Sequence, residues 1–244
     1  MAIADRLKAL REQMKKAGVT AYYIPTSDFH GSEYVGNHFK AREYISGFTG
    51  SAGIVVVTEN EAGLWTDGRY FLQAEEQLAG SGITLYRHGQ EGVPTIHQYL
   101  NDHLSSGQVL GCDGRTVTAV WAEEKRKYFS LRCDLDLVGE IWKSRPKRSA
   151  EPATLLDVKY AGVSREEKMK QLRRWIKEKK ADLYVLTSLD DIAWLLNIRG
   201  NDIPCNPVVL SYLVVSQEEA VLFAAQEAFS DEVSAALAEV GVRV

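Results

Sequence analysis

The 244-residue chain is 45% hydrophobic and 25% charged, with 19 Gly and 6 Pro, which excludes disorder and fibrous repeats and leaves one large domain or two smaller ones. A formal net charge of −4, from 29 basic and 33 acidic side chains, argues against nucleic acid as a partner. Cys112, Cys133 and Cys205 are odd in number and lack zinc-ligand spacing, and neither a signal-peptide core nor a long uncharged apolar stretch is present, so the expectation is a cytoplasmic chain without disulfides or membrane contact.

Ile3, Leu7, Leu10, Met14 and Ala17 recur at intervals of three and four, which predicts an amphipathic helix over 3–17 stopped by Gly18. The β-branched and aromatic run from Thr20 to Ile24, closed by Pro25, predicts a strand. An apolar stretch at Tyr44-Ile45-Ser46 ends in Gly47, and Ile54–Val57 with Leu64–Thr66 stand at hairpin spacing. Strands expected near 83–87, 108–112 and 134–138 alternate with helical patterns near 69–79, 95–104 and 118–129, which indicates an α/β domain with a mixed sheet. The segment from Lys143 to Pro152 holds two prolines and four basic residues with almost nothing apolar. It reads as a solvated linker rather than a nucleic-acid patch, and divides the chain into 1–155 and 156–244.

The same grammar then returns. Ser164 and Glu167 form a capping-box pattern, Met169, Leu172 and Trp175 or Ile176 a helical stripe, and Leu183–Thr187 a strand. An apolar helix from Ile192 through Leu196 runs to Gly200, and Val208–Val215 with Ala220–Phe223 repeat the hairpin spacing. Shared order with little shared identity implies a structural duplication. The second copy stops at Gly241-Val242-Arg243-Val244, the first residues of a strand, and reads as cut short.

All five histidines, at 30, 38, 88, 97 and 103, lie in the first copy. His30, Glu33 and His38 come nearest to a metal constellation, but the spacing is not that of a helical H-E-x-x-H site, and Gly31 and Gly36 oppose the helix that would align them. The glycines at 47, 50 and 53 precede a strand rather than a helix and no Lys follows the last of them, so a phosphate loop is rejected. Ser51 lacks the G-x-S-x-G frame of a nucleophile elbow. This turn is read as a place where small residues admit close approach, by a partner subunit or a site in another domain. Asp190 and Asp191 complement a helix N-terminus, and Cys205 has no activating His nearby in sequence. In Trp65-Thr66-Asp67-Gly68-Arg69-Tyr70-Phe71, Arg69 presents a permanently charged fork at a strand end. That suits a carboxylate or a peptide end group, although the residues alone favour a plain Asp67–Arg69 surface pair, which is common and weak.

Three runs, Ile24 to Tyr34, Ser46 to Gly53, and Trp65 to Ala74, resemble the first domain of three-domain Xaa-Pro aminopeptidases. Ser188 to Gly200 and Asn206-Pro207-Val208 with Ser211-Tyr212 resemble that family's second domain. The resemblance implies an α/β fold of two creatinase N-terminal-like domains, each a mixed sheet flanked by helices, the second incomplete. It implies further that a catalytic pita-bread domain holding two manganese ions on two Asp, one His and two Glu lies outside this sequence. The whole enzyme would remove the residue preceding proline from peptides and form a homodimer. This region would be inactive by itself, would bind no cofactor, and would shape substrate access, with Arg69 contributing to peptide binding. A prolidase or creatinase relative, or a non-enzymatic peptide-binding module of the same superfamily, is the alternative.

Overall fold

A computed structural model describes residues 1–244 as two compact units, Met1–Pro146 and Lys147–Val244. The first unit runs α1 (Ile3–Ala17), β1 (Ala21–Pro25), α2 (Ala41–Ser46), β2 (Ile54–Thr58), β3 (Ala62–Thr66), α3 (Phe71–Gln77), β4 (Thr84–Arg87), α4 (Ile96–His103), β5 (Val109–Cys112), α5 (Ala119–Arg126), β6 (Ser130–Arg132) and α6 (Leu137–Ile141). α1 forms because Leu7, Leu10 and Met14 share one buried stripe, and it stops because Gly18 takes the left-handed conformation (φ 68°) and returns its N–H to Lys15 and Met14 carbonyls.

The six-stranded sheet has the order β4-β3-β2-β1-β5-β6, with β2 antiparallel to both neighbours and every other pair parallel. Alternation along β1 serves two cores. Tyr22 and Ile24 face a cluster with Leu10, Ile45, Leu64 and Ile141, while Ala21 and Tyr23 face another with Trp65, Tyr99, Leu100 and Leu110. Helices thus cover both faces, α4 and α5 on the Tyr23 side.

One expected strand is displaced. The extended segment is Ser130–Arg132, whereas residues 137–141 are helical. Asp136 accepts from the Gly139 amide at 2.8 Å and opens α6. Tyr22 Oη donates to the Leu135 carbonyl at 2.7 Å and accepts from the Leu137 amide at 3.1 Å, so these backbone groups pair with a side chain instead of a strand. Leu137, Val138 and Ile141 then pack with the α1 stripe.

The second unit runs β7 (Thr154–Leu155), α7 (Val158–Ala161), α8 (Arg165–Glu178), β8 (Leu183–Leu186), α9 (Leu189–Leu196), β9 (Ile198–Arg199), β10 (Ser211–Ser216), β11 (Ala220–Ala224), α10 (Asp231–Ala238) and β12 (Val242–Arg243). Its four-stranded sheet, β12-β11-β10-β8, pairs antiparallel, antiparallel and parallel counted from β8. That is the pattern of β1-β2-β3-β4, so the duplication inferred from element order is present in the strand topology. Residues 147–155, grouped with the first half on composition, sit in the second unit: β7 pairs with β9, and the Ala153 amide donates to the Ala228 carbonyl at 2.8 Å. α9 ends at Asn197 in the left-handed region (φ 50°), three residues before the expected Gly200. Gly200 instead answers crowding, since a Cβ there would stand 2.9 Å from the Val208 carbonyl oxygen.

Candidate functional site

β3 is buried along its length and delivers a charged turn to the surface at its carboxyl end. Thr66 Oγ1 donates to the Ala52 carbonyl at 2.7 Å. Asp67 then caps a single 3-10 turn over Gly68–Tyr70: its Oδ1 accepts from the Arg69 amide at 3.1 Å and from Arg69 Nε at 2.9 Å, and its Oδ2 accepts from Nη2 at 2.9 Å. The fork-on-fork pairing holds the Asp67 carboxyl below the usual carboxylate range and raises the Arg69 guanidinium. Arg69 is 65% exposed and its Cζ lies 5.2 Å from the Tyr70 ring centre. The pair engages Nε and one Nη2 hydrogen, so Nη1 remains free for a second anion.

A second D-G-R turn, unremarked in the sequence reading, ends β5. Arg115 makes the same three bonds to Asp113, at 3.0, 2.9 and 2.8 Å. Here the guanidinium is spent elsewhere too, donating to Asp136 Oδ2 at 2.9 Å and lying 4.6 Å over the Phe29 ring. The repeated tripeptide after two strands was the available signal. The D-G-R turn is therefore a strand-ending device in this fold, and Arg69 differs from Arg115 in its surroundings rather than in its own turn.

The glycine turn at 47–53 is held from inside. Arg42, 4% exposed and without a carboxylate partner, donates to the Phe48 and Gly50 carbonyls and, at 3.1 Å, to Thr26 Oγ1. Burial depresses this guanidinium to about 10. At Gly50 the close approach is by this unit's own aromatic rings: a Cβ there would stand 2.3 Å from Phe48 Cζ and 2.8 Å from Tyr70 Cδ1. Ser51 Oγ is 2.6 Å from Tyr70 Oη, with no base in the pair.

His38 Nδ1 lies 2.7 Å from the Pro146 carbonyl, and the His30 amide donates to Asp28 Oδ1 at 2.8 Å. No three His, Cys, Asp or Glu side chains anywhere in the chain converge to hold a metal. The residues present therefore do not fit a dinuclear centre. In the second unit Asp190 and Asp191 occupy the first turn of α9, and Cys205 is exposed at φ 63°. No helix is long and apolar enough to cross a membrane.

Comparison with known proteins sets these features in a family. Two family models, each described as a Creatinase/Prolidase N-terminal domain, match in succession, one over residues 6–145 and the other over 144–244. Aminopeptidase P2 of Arabidopsis thaliana is 40% identical over 252 residues, covering 99% of this chain and 35% of that protein. A probable Xaa-Pro aminopeptidase P of Sordaria macrospora is 42% identical over 248 residues, covering 98% of this chain and 40% of that protein. The X-prolyl aminopeptidase of Caenorhabditis elegans, described as a cytosolic enzyme with a di-nuclear active site, superposes with a TM-score of 0.92 at 37% identity, over 100% of this chain and 42% of the other. The chain thus spans well under half the length of each of these relatives. With two successive matches, one for each of its α/β units, it belongs to the creatinase/prolidase N-terminal domain family, in the company of the Xaa-Pro aminopeptidases.

Proposed function

We propose that this chain is the non-catalytic N-terminal region of a metal-dependent Xaa-Pro aminopeptidase, cytoplasmic and homodimeric, with two manganese ions in a catalytic domain outside these 244 residues. The carrying observation is the matched coverage: the aminopeptidase relatives align along nearly all of this chain while the chain accounts for only 35–40% of them. In this reading the two lobes shape access for peptides with proline in second position and support dimerisation. Arg69 supplies the charge that meets a peptide end group. Its exposure and its free Nη1 suit that task, since a donor already aligned by Asp67 loses little side-chain freedom on binding.

Two measurements test the reading. The purified chain, given Mn²⁺, is expected to release no amino acid from an Xaa-Pro peptide; release would overturn the assignment of catalysis to another domain. In the complete protein, Arg69→Ala is expected to raise KM for peptide with kcat and melting temperature held. An unchanged KM would return Arg69 to a surface pair with Asp67.

A further inference from the structure

The first unit holds a cleft of about 370 Å³ over the carboxyl ends of β1 and β3, between α4 and α5. From β1 the chain builds outward through β2, β3 and β4, then crosses by α4 to lay β5 against the other side of β1. The cleft opens on the flank of β1 away from β5, over Tyr23, Ile54 of β2 and Trp65 of β3, with no β5 residue in its lining.

The floor is aromatic and fixed. Trp65 donates its indole N–H to the Pro94 carbonyl at 2.9 Å and stacks on Tyr86 with ring centres 4.2 Å apart and planes within 10°. Tyr23 packs against Trp121 at 4.6 Å. Such a surface needs no ordering when an apolar body lands on it.

The polar groups around this floor lean to one sign. Lys125 lines the cleft and is 9% exposed; its Nζ meets Glu124, a side chain 56% exposed, at 3.0 Å. That pair takes one of the three ammonium donors and leaves the others for a second acceptor, and Glu124 lies within electrostatic reach of His97 as well. His97 also lines the cleft, and its Nδ1 is buried with no hydrogen-bond partner in the chain. A turn of the ring about χ2 forfeits no bond, and a partner supplied from the cleft would relieve an unsatisfied polar atom. α4 begins at the same wall, so the first-turn amides of Ile96 and His97, which have no intrahelical acceptor, add positive potential. The sole carboxylate among the lining groups, Asp67, is already matched by Arg69.

We propose that this cleft binds a small carboxylate carrying an aromatic or branched apolar body, the apolar body packing against Trp121 above the buried Trp65 and the carboxylate held by Lys125 and His97. The proposal does not depend on the peptidase reading: it stands on one unit's cavity, and Arg69 does not line it. Two sources share the required chemistry, a free arylalkanoate and the C-terminal residue of a peptide.

The test is a titration of the whole chain with 3-phenylpropionate, with its neutral isostere 3-phenylpropionamide, and with a tetrapeptide ending in Phe as the free acid and as the amide. Binding is read from the indole N–H resonances of Trp65 and Trp121 and by calorimetry. Saturable binding of an acid at least tenfold tighter than its amide is expected, and whichever of the free acid and the peptide binds tighter identifies the source. Lys125→Met keeps the stem and removes the charge, and is expected to erase that tenfold preference while leaving amide binding unchanged. His97→Phe keeps the ring against Tyr128 and Phe129 and is expected to weaken the acid alone. Equal affinity for acid and amide, or no saturable response with either acid up to about 10 mM, would overturn the proposal. The acid–amide comparison on the unsubstituted chain decides even where a variant fails to fold.

Discussion

Gly114 and Gly68 occupy the middle of two turns with the same Asp–Arg bonds, yet only one of them has to be glycine. A Cβ on Gly114 would stand 2.4 Å from the Cys133 carbonyl oxygen and 2.8 Å from Cys133 Cβ, whereas on Gly68 nothing comes nearer than Phe71 Cε2 at 3.9 Å. Neither glycine has a left-handed φ, so space alone separates them. Alanine at 114 must drive the end of β6 away by about 1 Å to reach ordinary contact. The same carbonyl accepts the Gly114 amide at 2.9 Å, so the move also stretches that bond. Losing the bond costs about 1 kcal/mol and the forced shift about 1–3 kcal/mol. Against these stands a gain of about 0.4–1 kcal/mol from a stiffer unfolded chain. Gly114→Ala is therefore expected to destabilise by about 1–3.5 kcal/mol, and Gly68→Ala to change stability by no more than about 0.5 kcal/mol. Urea denaturation gives the two midpoints, and hydrogen exchange at the β5 and β6 amides localises the loss. Variants agreeing within about 0.5 kcal/mol would refute the steric account.

The other expectations concern pH and register. Burial pushes the Asp136 carboxyl up, but the Gly139 amide, Arg145 and Arg115 together outweigh it and hold the group below the ordinary carboxylate range. A depressed carboxyl contributes stability that is complete above its unfolded value, about 3.9, and drains away as pH falls through the lower folded value. The urea midpoint should thus fall on acidification below about pH 4, less steeply in Asp136→Asn; superimposable acid limbs would contradict this. In the second sheet Leu222 is 1% exposed and Phe223 54%, so Leu222→Ala should cost about 2–5 kcal/mol and Phe223→Ala no more than about 0.5 kcal/mol. The reverse ranking would place β11 one residue out of register.

Much of the architecture was legible because it rests on local patterns. The 3–17 stripe with Gly18, the 54–66 hairpin and Ser164 as a cap each carry their own signal, and each is found where expected. Leu135-Asp136-Leu137 alternates as a strand would, but the deciding groups, Tyr22 Oη and the α1 stripe, lie more than a hundred residues away in sequence. Nothing local announces such partners. The cleft was hidden for the same reason: Tyr23, Trp65, His97, Trp121 and Lys125 are unremarkable singly and meet only when a crossover brings α4 and α5 over the sheet. β8 was recognised as apolar, but its residues 183–185 remain exposed, because hydrophobicity records what a strand can bury and not what covers it.

The duplication also bears on how a motif is read. The turn after β3 recurs after β5 with the same tripeptide, and after β11 as Gln226–Ala228 without a capping side chain. If D-G-R were needed only to end a strand, Arg69 and Arg115 would have equivalent surroundings. They do not: Arg115 shares Asp136 with Arg145 and lies on Phe29, while Arg69 stands two-thirds exposed with Asp67 as its one ion-pair partner, the Tyr70 ring beside it and Glu33 within electrostatic reach. The aspartate fixes the guanidinium in both places and leaves Nη1 uncommitted in both, but at Arg115 Nη2 also donates to Asp136 and the plane lies over Phe29, whereas Arg69 makes no second ion pair. The peptide-binding role proposed for Arg69 accordingly rests on that difference in environment, which the tripeptide cannot encode and which the Arg69→Ala kinetics address directly.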